Sequence, residues 1–123
     1  MKDAETALHF FKQSKYNTQI QLHIGNALEI IPTLNYQWDL VFIDADKTGY
    51  LDYYNLILPR LKINGVIIVD NVLFHGQVLE EPFKGKNAKA IDIFNKYVSN
   101  DNRVEQVFLT VRDGLLLIKK IRE

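Results

Sequence analysis

Cysteine is absent from this 123-residue chain, which excludes disulfides, thiolate metal sites and cysteine nucleophiles. Long apolar runs are missing too. None approaches the roughly 20 residues that cross a bilayer, and the N-terminus lacks the apolar region of a signal peptide, so no membrane partner and a cytoplasmic location are expected. Neither sign of charge is in excess, with 15 Lys plus Arg against 15 Asp plus Glu. No basic run supplies the electrostatic footprint of a nucleic-acid binder. Repeats and low-complexity segments do not occur. What remains is a chain that is 47% hydrophobic, the right size for one compact domain with its own core.

The stretch from Trp38 to Val78 organises the rest. It reads WDLVFIDADK, then an amphipathic segment, then NGVIIVDNVLFHG. Two short apolar runs end in Asp44 and Asp70, as in a parallel sheet whose strands carry ligand groups at their carboxyl ends.

In chain order, the spacing of Ala4, Ala7, Leu8 and Phe11 predicts an amphipathic helix over 3–14, with Asp3 as a candidate cap. Residues 19–24 alternate strictly, Ile20, Leu22 and Ile24 against Gln19, Gln21 and His23, and predict a half-buried strand near a sheet edge. Gly25 and Asn26 turn the chain into a short helix over 27–31 that Pro32 limits. The apolar run within 38–44 predicts a strand buried on both faces. A crossover helix is expected over 48–61, from Leu51, Tyr54, Leu58 and Leu61, with Pro59 as a kink and Asn64–Gly65 as a left-handed stop. A third strand follows at 65–70, completing a strand, helix, strand unit. Residues 75–87 read as a surface loop or lid. A helix is expected over 88–98, with Ile91, Phe94, Tyr97 and Val98 on one stripe. The strand-like runs 104–111 and 115–121 flank Arg112, Asp113 and Gly114, an antiparallel hairpin signal.

If the strands ending at Asp44 and Asp70 are neighbours, about 4.8 Å apart, two carboxylates meet at one edge, where a cation or a proton must lie between them. Asn71 adds a neutral oxygen. Two carboxylates and an amide oxygen suit a hard ion such as Mg²⁺ or Ca²⁺. Lys47 follows Asp44 by three residues; beside a divalent cation its ammonium is disfavoured, and it becomes able to accept a proton. Taken singly, each of these features is common turn or capping chemistry. His75 reads as a solvated loop residue, and Phe74 as either a pocket wall or a packing plug.

These residues resemble a known family. DLVFIDADK, GVIIVDNVLFHGQV, GNALEIIPTL and the closing RDGLLLIKK, in this order, are similar to the cation-dependent S-adenosylmethionine-dependent O-methyltransferases, the caffeoyl-CoA and catechol O-methyltransferase group. The likeness runs from about Ala4 to the end. It implies an α/β fold: a truncated Rossmann-like methyltransferase sheet, mostly parallel with a C-terminal antiparallel hairpin. It also implies S-adenosylmethionine and a divalent metal as cofactors and a small catechol-like hydroxyl acceptor as partner. Asp44, Asp70 and Asn71 become metal ligands and Lys47 the general base. Asn26 and Ala27 match a pair near the adenine, and Asp44, Asp46 and Phe74 match positions near the cofactor or acceptor. Asn26 departs from the family's usual Asp, and Phe74 stands where plant members carry tryptophan.

The helical cap and the glycine-rich strand-turn with which such proteins begin are not matched in these residues. In the family's strand order, 3-2-1-4-5-7-6, that leaves the strand at 38–44 without its neighbour. The expectation is an altered pairing, with 19–24 closing the gap, or a dimer through that edge. The alternative to a catalytic portion is a non-catalytic truncated relative that oligomerises or binds an acceptor. A phospho-receiver domain gathers similar groups, but the terminal hairpin argues against it.

Overall fold

The computed structural model describes residues 2–82 and 85–123. The chain divides into two compact units, Met1–Thr33 and Leu34–Glu123. In the first, helix α1 (Lys2–Gln13) forms as expected, with Asp3 and Glu5 in its first turn and Lys12 in its last, an arrangement that complements the helix dipole. Helix α2 (Ala27–Ile30) starts at Asn26, whose Oδ1 accepts from the Leu28 N–H at 3.0 Å. Pro32 follows in a 3₁₀ turn, Ile31–Thr33.

The strand expected at 19–24 is not formed. Asn17–Gln19 is a 3₁₀ turn, and the residues after it join no ladder among the described strands. Alternation prepares a segment for a half-buried ladder but does not supply the neighbour whose N–H and C=O groups complete one. Leu22 and Ile24 stay exposed, at 37% and 62%.

The second unit is built on a four-stranded sheet in the order β1-β2-β4-β3, from β1 (Trp38–Ile43), β2 (Leu61–Val69), β3 (Val104–Leu109) and β4 (Leu115–Lys120). β1 and β2 are parallel, and β2–β4 and β4–β3 are antiparallel. The order reproduces the 4-5-7-6 part of the expected sheet, and β1 lies at the edge of the single chain. The expected closing of that edge by 19–24 does not occur.

The crossover helix is shorter than its apolar spacing predicts. Helix α3 covers Tyr50–Ile57, between 3₁₀ turns at Lys47–Gly49 and Leu58–Arg60. Pro59 cannot donate to the preceding turn, so the chain leaves the helix there. Asn64–Gly65 is therefore not a helix stop. It lies inside β2, which begins at Leu61, where Asn64 takes φ 69° and the ladder shifts register between Trp38 and Leu40. A Cβ at Gly65 would fall 2.8 Å from the Lys62 carbonyl oxygen, so this bulge has no room for a side chain.

The pairing defines two faces. The rows Val41, Ile67, Ile118 and Ile43, Val69, Leu116 share one face, and the side chains of Ile43, Ile67, Val69, Leu116 and Ile118 on it are buried. With Tyr50, Tyr54 and Ile57 of α3 and Ile91, Phe94 and Val98 of helix α4 (Lys86–Ser99) they form the core. Tyr97, expected on the same stripe, is 42% exposed. On the opposite face Leu40 and Phe42 are 60% and 59% exposed, so β1 is not buried on both faces as its apolar run implies. Composition alone does not distinguish a strand covered twice from one covered once. Of the expected loop at 75–87, Phe83 and Lys84 lie outside the described residues.

The turn between α4 and β3 is held by Asp101. Its carboxylate accepts from Arg103 Nε at 3.0 Å, Arg103 Nη2 at 2.7 Å and the buried Tyr54 hydroxyl at 2.9 Å. The Arg103 hydrogen bond is the main reason that the Asp101 carboxyl is held at about 2, below its ordinary 3.8. A depressed carboxyl stabilises the fold fully above its unfolded value and loses that contribution as pH falls through the folded one. Asp101→Asn should lower stability by about 2 kcal/mol at neutral pH. In urea titrations the gap from wild type should close as pH falls from about 4 to about 2; a gap independent of pH would contradict the assignment.

Candidate active site

The parallel register Ile43↔Val69 carries past the strand ends, because the Asp70 N–H donates to the Ile43 carbonyl at 3.0 Å. Asp44 and Asp70 therefore leave adjacent strands at the same level, as the sequence predicts. Asn71 follows with φ 60°, a left-handed conformation that asparagine tolerates better than most residues. Its N–H donates to Asp70 Oδ1 at 2.8 Å, which fixes one oxygen of that buried carboxylate.

Lys47 enters from the 3₁₀ turn after β1. Its Nζ donates to Tyr50 Oη at 2.6 Å, Asn71 Oδ1 at 3.1 Å and Asp44 Oδ1 at 3.3 Å. The hydroxyl of the fully buried Tyr50 in turn donates to the Asp70 carbonyl at 2.8 Å. Burial pulls the Lys47 pKa down, but the hydrogen bonds to Tyr50 and Asp44 outweigh it, and the net shift is upward. Burial also raises Tyr50. At neutral pH the pair is thus an ammonium against a neutral phenol. Asp44 Oδ1 and Asn71 Oδ1 converge on this one positive atom, while Asp70 Oδ1 is engaged by the Asn71 N–H. Two carboxylates and an amide oxygen leave further coordination to water or ligand oxygens, which suits a hard divalent ion. No group of three or more His, Cys, Asp or Glu forms a metal cluster among the described residues.

A model of the O-methyltransferase family matches residues 1–121. The chain belongs to that family. It is 38% identical over 125 residues to "Probable caffeoyl-CoA O-methyltransferase 1" of Dictyostelium discoideum, covering 94% of itself and 53% of that protein. It superposes on the S-adenosylhomocysteine-bound methyltransferase PaMTH1 of Podospora anserina with a TM-score of 0.73 at 32% identity, covering 81% of itself and 48% of that chain. On TomG of Streptomyces achromogenes, an O-methyltransferase solved with S-adenosylmethionine, the TM-score is 0.87 at 25% identity, covering 96% and 57%. The chain spans about half the length of the curated relatives it matches.

Within this frame the structure brings together Asp44, Lys47, Asp70 and Asn71. Asp46 is not drawn into the cluster: its carboxylate accepts from the Tyr53 hydroxyl at 2.5 Å and Thr48 Oγ1 at 3.5 Å. The first of these bonds raises the Tyr53 pKa to about 12. Phe74, half-buried with φ 46°, sets its ring 5.8 Å from that of His75. Asn26 and Ala27 belong to the first unit, where Asn26 caps α2. Two members of the cluster escape the sequence reading. Tyr50 looks like core, and Asp113 looks like a turn residue, yet Asp113 Oδ2 accepts from Asn71 Nδ2 at 2.9 Å. The one clue to Asp113 is topological: pairing β4 with β2 carries the hairpin tip to the carboxyl end of β2.

Proposed function

We propose that this chain carries the metal- and acceptor-binding part of a cytoplasmic S-adenosylmethionine-dependent O-methyltransferase that methylates a hydroxyl of a small catechol-like acceptor. The observation that supports it is the convergence of Asp44, Asn71 and Lys47 beside Asp70. Asp44, Asp70 and Asn71 would hold Mg²⁺ or Ca²⁺; when bound, the ion supplies positive charge that favours an ionised acceptor hydroxyl. Lys47 is the base of this reading. Its ammonium is stable against Tyr50 and Asp44 alone, and a second cation beside it disfavours the charged form and frees Nζ to take the hydroxyl proton. Tyr50 holds Nζ in place from below. Asp44, Asp46, Phe74, Asn26 and Ala27 are the residues assigned to the donor side, with Asp46 anchored by Tyr53.

Calorimetry with Mg²⁺, and then with S-adenosylmethionine in its presence, tests the proposal. Saturable heat is expected for both, and Asp44→Ala should abolish the Mg²⁺ response. A folded protein silent to both ligands would overturn it in favour of a binding or oligomerisation module.

The edge strand β1 supports a further part of this reading, a homodimer. Its outer edge has no ladder partner among the described residues, the condition under which strands pair between molecules, and Leu40 and Phe42 on the sheet face away from the core are exposed beside it. Light scattering should give twice the 14.3 kDa chain mass. An ordered monomer at tens of micromolar would exclude the dimer.

A further inference from the structure

Asn71 is the one uncharged donor in the proposed set, and an amide can present either its oxygen or its nitrogen to the cleft. Two neighbours decide between them. Lys47 Nζ only donates and lies 3.1 Å from Asn71 Oδ1; Asp113 Oδ2 only accepts and lies 2.9 Å from Asn71 Nδ2. Turning the amide over would set nitrogen against ammonium and oxygen against carboxylate. Only one orientation satisfies both.

Asp113 is itself well held. Its side chain is 16% exposed, and Oδ1 accepts the His75 N–H. The Asp113 carbonyl accepts from Leu73 N–H at 2.9 Å, and the Gly114 carbonyl from Val72 N–H at 3.2 Å. Gly114 has φ 82°, and a Cβ there would fall 2.8 Å from Leu73 Cγ. The hairpin tip and the segment after Asp70 are therefore packed backbone to backbone. The Val69↔Leu116 pairing sets their approach.

We infer that Asp113 is a positioning residue, which from the hairpin tip holds the Asn71 amide with its oxygen turned towards Lys47 and Asp44 and so completes the oxygen donor set for a divalent cation. Its consequence for metal rests on the function proposed above; its geometry rests on the hydrogen bonds of Asn71 to Asp113 and Lys47. It makes a prediction that charge counting reverses. Asn71→Asp adds a negative ligand and would by charge alone tighten cation binding. With Asp113 opposite, the new carboxylate meets a second carboxylate where a hydrogen bond had been, so binding weakens. Exchanging the pair, Asn71→Asp with Asp113→Asn, restores a donor facing an acceptor.

The test uses ¹⁵N-labelled protein and Mg²⁺. The side-chain amide signals of Asn71, identified by their loss in Asn71→Asp, should be well separated in wild type and collapse towards free-amide positions in Asp113→Ala. Mg²⁺ affinity should fall about 10- to 100-fold. Asp113→Asn serves if the alanine variant does not fold, because its amide cannot accept from both Asn71 Nδ2 and the His75 N–H. The exchanged pair should recover to within a few-fold of wild type. Unchanged amide signals in the Asp113 variants would overturn the inference, as would moved signals with unchanged Mg²⁺ affinity. Should wild type bind no divalent ion, the cation reading fails, and the amide signals alone decide whether Asp113 holds Asn71.

Discussion

Phe94→Ala is expected to remove about 3–5 kcal/mol of folding stability, a large share of the roughly 5–15 kcal/mol of an ordinary domain. Phe94 is fully buried on α4, with its ring edge-on to Tyr50 (5.7 Å, 75°) and to Tyr54 (6.0 Å, 81°). These two tyrosines serve different ends of the unit. Tyr50 joins Lys47 to the Asp70 carbonyl, and Tyr54 joins α3 to Asp101. A void at position 94 withdraws dispersion contacts from both rings at once. The urea midpoint should drop well below that of Phe94→Leu, which keeps most of the volume. Ile93→Ala, one residue along and 47% exposed, should stay within about 0.5 kcal/mol of wild type. A Phe94→Ala loss under about 1 kcal/mol would show that the aromatic layer does not hold the unit together.

What could be read from sequence was whatever local chemistry decides. Apolar runs cut off by Asp44 and Asp70 marked the strand ends, and the Asp113–Gly114 turn marked the hairpin, because both depend on residues close in the chain. The ladder at 19–24 could not be read, since alternation says nothing about whether a neighbour exists. The open face of β1 was hidden for a related reason. Leu40 and Phe42 are as apolar as Ile43, and their exposure depends on what packs against them. Tyr50 sits at helical spacing like any core tyrosine, and only the fold shows its hydroxyl between Lys47 and Asp70. The partner of Asn71 is 42 residues away, so its role awaits the β2–β4 pairing. Sequence thus supplied Asp44, Asp70 and Asn71 as candidate donors, and the β2–β4 pairing is what brings Asp113 to Asn71.

Lys47→Ala separates the proton-accepting role from a structural one. In a catalytically competent preparation with S-adenosylmethionine and a catechol acceptor, turnover should fall about 10²–10⁴-fold, the usual contribution of a general base. Divalent-ion affinity should hold or rise. Lys47 Nζ lies on Asp44 Oδ1 and Asn71 Oδ1, so its removal takes a competing positive charge off two of the three proposed donors. Lys47→Arg sharpens the point, because a guanidinium can occupy similar space but does not give up its proton near neutral pH. If Lys47 accepts a proton, arginine fails as badly as alanine; if it only ties the turn to Asn71, arginine rescues most of the activity. Equal losses of turnover and ion affinity in Lys47→Ala would assign the residue to the scaffold. Tyr50, which also contacts Nζ, would not take over as acceptor, because its pKa is raised by burial and its hydroxyl donates to the Asp70 carbonyl.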